Sequence, residues 1–142
     1  MKKIFAGIII LLFSSFAFAD SDFLGIPFNI TKEDNSKNSY DSKIETAFTS
    51  VFSDYCKDVD IDLQFSKTTK KLNAIHIELE YKSSLILAYF ETYFVDNLKC
   101  TKVDKTYFND NIIAYVDTSG GELHIDIATR ETFNNFLNSI KK

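Results

Sequence analysis

Two short alternations in this chain carry the residue types on which chemistry could be built. In His76-Ile77-Glu78-Leu79-Glu80 the polar groups recur at every second position, and in Glu122-Leu123-His124-Ile125-Asp126 they do so again. On a β-strand this period places His76, Glu78 and Glu80 on one face, and Glu122, His124 and Asp126 on one face. Asp60 and Asp62 alternate in the same way with Val59, Ile61 and Leu63.

Three chemistries fit this pattern. Exposed carboxylates can be plain solvated surface. Gathered on one face, Asp60, Asp62, Glu78, Glu80, Glu122 and Asp126 would steer a basic protein partner toward that face. Imidazole nitrogens beside carboxylate oxygens are also metal ligands. A metal site built from His76, His124 and neighbouring carboxylates requires the second and fourth strands to be adjacent, which spacing alone does not give. Across a hairpin, Asp60 and Asp62 are expected near Glu78 and Glu80. Like charges opposed on a sheet are destabilising, so a chain that keeps them points to a partner.

Catalytic signatures are missing from the sequence. There is no Gly-x-Ser-x-Gly, His-Glu-x-x-His, Gly-rich phosphate loop or Cys-x-x-Cys, and there are two histidines in all. The expectation is a protein that is not an enzyme and carries no cofactor. The net charge of −4 gives it no electrostatic reason to seek nucleic acid or anionic lipid.

The elements that must position these groups follow from hydrophobic period. Ser42-Lys43-Ile44-Glu45 has the form of a capping box. Ile44, Ala47, Phe48, Val51, Phe52 and Tyr55 then mark one helical face, with Cys56 at the helix end. Val59–Phe65 and Ile75–Tyr81 alternate as a strand hairpin around a polar turn. Ser83-Ser84 precedes a second helix with a stripe of Leu87, Phe90, Phe94 and Leu98, and Cys100 follows it. Residues 101–111 are ambiguous between short strand and loop. Ile112–Val116 is expected as a central strand, Leu123–Ile127 as its hairpin partner, and Thr129 as the cap of a last helix. The expected fold is α+β: an antiparallel sheet of about four strands from two hairpins, with helices packed on one face. Phe48, Phe52, Phe90, Phe94, Phe133 and Phe136 are expected in the core. Tyr89, Tyr93, Tyr107, Phe108 and Tyr115 are a surplus that could anchor a homodimer.

The start of the chain sets the compartment. Lys2-Lys3, the apolar run from Ile4 and Ala17-Phe18-Ala19 have the form of a secretory signal over residues 1–19, cleaved before Asp20. The remainder, 20–142, is one domain, periplasmic or secreted, with no membrane association after cleavage. In an oxidising compartment Cys56 and Cys100 are expected to form a structural disulfide, with two buried thiols as the alternative.

This general plan — leader, compact acidic domain, one disulfide, no catalytic motif — resembles the small periplasmic immunity proteins that protect bacteria from type VI secretion effectors attacking the cell wall. The resemblance implies a protein that inhibits a hydrolase by plugging its active-site cleft, and it assigns no binding residue. The competing expectation is a periplasmic protein that binds a metal or a small ligand.

Overall fold

The computed structural model describes residues 22–141. The signal segment proposed over 1–19 lies outside the described residues. The chain opens with a two-stranded ribbon, β1 (Asp22–Phe23) and β2 (Ile26–Pro27), then α1 (Lys32–Asn38) and α2 (Tyr40–Val51). A long hairpin follows, β3 (Cys56–Phe65) and β4 (Leu72–Tyr81). Next comes α3 (Leu85–Thr92), which continues as a π-helical turn over Tyr93–Asn97. Four strands and a helix complete it: β5 (Thr101–Val103), β6 (Thr106–Phe108), β7 (Ile112–Ser119), β8 (Glu122–Thr129) and α4 (Arg130–Ile140).

The α+β class and the antiparallel pairing agree with the sequence, but the strand number does not. The main sheet has six strands in the order β3-β4-β8-β7-β6-β5, not about four. The two long hairpins join through β4 and β8. The ambiguous stretch 101–111 supplies the extra pair, β5 and β6, turned tightly through Asp104 in a left-handed conformation (φ 57°).

The sheet has an inner and an outer face. Ile75, Ile77 and Leu79 of β4, Leu123, Ile125 and Ile127 of β8, and Ile112 and Ala114 of β7 are buried on the inner side. They pack with α2 and α3, whose aromatic rings dominate the core. Phe48 stacks on Phe90 (centroids 5.6 Å), and Phe52 lies 5.1 Å from Tyr89. On α3 and its π turn the buried stripe is Ile86, Tyr89, Phe90, Tyr93 and Phe94, so Tyr89 and Tyr93 belong to the core rather than to a surface surplus. Tyr107 is buried as well, stacked on Phe94 at 5.0 Å. The ribbon seals one end. Phe23 packs against Tyr93 and Phe94, and the Leu24 backbone N–H donates to Tyr93 Oη at 2.7 Å.

Three further expectations are corrected. The capping box lies at Thr31 and Asp34, each bonding the other's backbone N–H (Thr31 N to Asp34 Oδ2, 2.9 Å; Asp34 N to Thr31 Oγ1, 3.2 Å), and these bonds hold the Asp34 carboxyl below its ordinary range. The next helix begins at Tyr40, and Glu45 instead accepts the Ile61 N–H of β3 at 2.8 Å. On α4 no residue is buried: Phe136 is 57% and Ile140 63% exposed, and Phe133 lies beside outer-face residues of the sheet rather than in the core.

Cys56 and Cys100 are free, buried thiols, not a disulfide. Cys56 opens the edge strand β3, and Cys100 immediately precedes β5 at the opposite edge. Five strand spacings, on the order of 20 Å, separate the two edges, whereas bridged cysteines need Cα atoms within about 7 Å. Burial pushes both thiols up to about 11.

Candidate functional site: the outer face of the sheet

Register carries the alternating polar residues to one surface. In β3, Asp60 lies opposite Glu78 and Asp62 opposite His76. In β8, His124 lies opposite Glu78, Asp126 opposite His76 and Glu122 opposite Glu80. Opposed residues of an antiparallel pair share a face. All six acidic residues singled out in the sequence therefore stand together with both histidines on the outer face. One detail differs from expectation. Asp62 faces His76 and not Glu80, and a register shift between Lys57 and Asp60, with Asp58 at φ 54°, makes Lys57 rather than Asp58 the neighbour of Glu80. Bulges of this kind are common on edge strands such as β3.

The strand adjacency that a histidine site requires is present. β4 and β8 pair directly, and the His76 and His124 rings lie 5.9 Å apart between centroids. His76 Nδ1 is 2.6 Å from Asp126 Oδ1, and His76 Nε2 is 3.8 Å from Glu78 Oε2. His124 Nε2 is 3.1 Å from Glu122 Oε2. One donor atom from each of His76, Glu78 and His124 lies within 4.8 Å of the others. All three residues are partly exposed.

Two lysines temper the charge. Lys57 reaches Glu80 at 3.5 Å and Lys105 reaches Asp117 at 3.1 Å. Asp60 and Asp62 are exposed, and among the described residues no ion pair engages them. Their like-charged surroundings include the Asp60–Glu78 and Glu80–Glu122 pairings.

Sequence reasoning missed the apolar half of this face. Ala74, Ala128 and Ile113 lie in one row across β4, β8 and β7, beside Tyr115, which is 46% exposed. With Gln64 and Phe133 of α4 they line a shallow cleft of about 400 Å³ bordered by His76 and Asp126. The signal was available: Ile112–Val116 is apolar at successive positions, so its outward residues had to lie on a second apolar surface.

No protein-family model matches the chain, and neither do the curated proteins or the solved structures searched for similarity to it. Among the described residues no helix is long and apolar enough to cross a membrane.

Proposed function

We propose that this is an exported binding protein that engages a basic partner protein through the outer face of its sheet and inhibits or neutralises it. A wall-degrading effector of the kind opposed by immunity proteins is the partner class this reading favours. One observation carries it: the outer face is left open by α2 and α3, and it gathers Asp60, Asp62, Glu78, Glu80, Glu122 and Asp126 beside the apolar cleft at Ile113, Tyr115 and Phe133. An apolar patch bordered by charge is the anatomy of a protein interface, and the carboxylates would speed encounter with a cationic surface.

The test begins with capture of partners from periplasm and from competing cells, in buffer containing chelator. Association rates are then measured for the protein carrying Asp60→Lys, Asp62→Lys, Glu78→Lys and Glu80→Lys. The reading expects association at low salt to slow by about tenfold or more and its salt dependence to flatten. Undiminished association of every captured partner would remove the outer face as the docking site.

A further inference from the structure

We propose that His76, His124 and Glu78 form a binding site for a divalent transition-metal ion of the Zn²⁺ class, with Asp126 as a positioning residue. The inference is independent of the partner reading, since it requires no second protein.

Asp126 Oδ1 lies 2.6 Å from His76 Nδ1 and accepts its proton. In a neutral ring the other nitrogen, Nε2, then presents a lone pair. Nε2 lies 3.8 Å from Glu78 Oε2, beyond hydrogen-bond range. Two acceptors thus stand close together, and one ligand atom of His124 lies within 4.8 Å of one from each of His76 and Glu78. A cation resolves this arrangement, and two imidazoles with one carboxylate are a ligand set suited to Zn²⁺. Around one ion at about 2.0–2.2 Å from each donor, tetrahedral ligands stand about 3.4 Å apart. The three side chains therefore need to close by about an ångström, within reach of partly exposed side chains.

The surroundings favour the assignment. A carboxylate behind a ligating histidine fixes its tautomer and raises its basicity, and Asp126 has that relation to His76. The lysines of the face are engaged elsewhere, Lys57 with Glu80 and Lys105 with Asp117, so neither neutralises Glu78. Three protein donors leave a fourth position for water. Register alone assembles the set: His124 opposes Glu78, and His76 sits diagonally beside it on β4.

The experiment titrates chelator-treated protein with Zn²⁺ alone by calorimetry. One ion per chain is expected. His76→Ala and His124→Ala should each weaken binding at least tenfold, and Asp126→Ala by about 10–100-fold. Glu33→Gln with Glu91→Gln, at exposed positions of α1 and α3 away from this face, should leave affinity within about twofold. A second measurement avoids substitution altogether. Co²⁺ added to the unaltered protein should give visible ligand-field absorption and selectively broaden the ring signals of His76 and His124. The proposal is overturned if no saturable one-to-one binding occurs, if binding survives in the His76→Ala/His124→Ala double variant, or if Co²⁺ broadens signals elsewhere and spares these rings.

Discussion

His76 and Asp126, fifty residues apart in sequence, are joined at 2.6 Å from ring Nδ1 to carboxylate Oδ1 across the β4–β8 ladder. This contact fixes which nitrogen of His76 carries the proton. Neutral His76 is expected as the Nδ1–H tautomer, read from its ¹⁵N ring shifts at alkaline pH. Asp126→Ala should release that preference. An Nε2–H tautomer in the unaltered protein would mean that Asp126 does not orient the ring.

The two cysteines make a sharp test of the sheet's width. Non-reducing mass spectrometry of the native protein should find both thiols free, and neither should react with an alkylating reagent at pH 8 until denaturant is added. An intramolecular Cys56–Cys100 bond would contradict the strand order itself. The same burial predicts an alkaline limb in stability. The folded thiols are raised from an ordinary 9.0 to about 11, so between those values the folded chain keeps protons that the unfolded chain has lost. Stability present below pH 9 should therefore fall as pH rises toward 11, and buried Tyr89, raised by desolvation, acts in the same direction. Urea midpoints that hold constant across this range would contradict the burial of these groups.

Tyr93 ties the amino-terminal ribbon to the core. Its hydroxyl accepts the Leu24 N–H at 2.7 Å in a fully buried position. Tyr93→Phe keeps the ring and orphans the amide, at a cost of about 1–3 kcal/mol. Urea unfolding measures this. An unchanged midpoint would mean that the ribbon is not docked there.

Aromatic residues on the apolar stripes of different helices should differ widely in their worth. Phe48→Ala opens the stacked cluster with Phe90 and should cost about 3–5 kcal/mol. Phe136→Ser, on the exposed side of α4, should change stability by less than about 0.5 kcal/mol. Equal effects would show that α4 packs on the body.

These contrasts indicate what the sequence made legible. β3, β4 and β8 could be read directly, because one buried face imposes strict alternation on Ile61, Ile77 and Ile125. β5 and β6 could not. Each has three residues, and Val103 is 60% exposed, so too few side chains are buried to set a period. Phe133 and Phe136 follow the same rhythm as Phe90 and Phe94, since periodicity reports one apolar stripe and not what lies against it. Cys56 was displaced from helix end to strand start by the tight turn after Phe52. The six acidic residues could be assigned a common face from period alone. The convergence of His76, Glu78 and His124 could not, because it depends on β4 pairing with β8 across the intervening α3, β5, β6 and β7.

The most direct test of the central claim is amide shift mapping of the isotope-labelled protein with its captured partner. Perturbations should concentrate on the outer-face positions of β3, β4 and β8, from Asp60 and Asp62 through His76 and Glu78 to His124 and Asp126, and extend to Tyr115. A footprint confined to α2 and α3, with these strands unchanged, would contradict the assignment of the open sheet face as the binding surface.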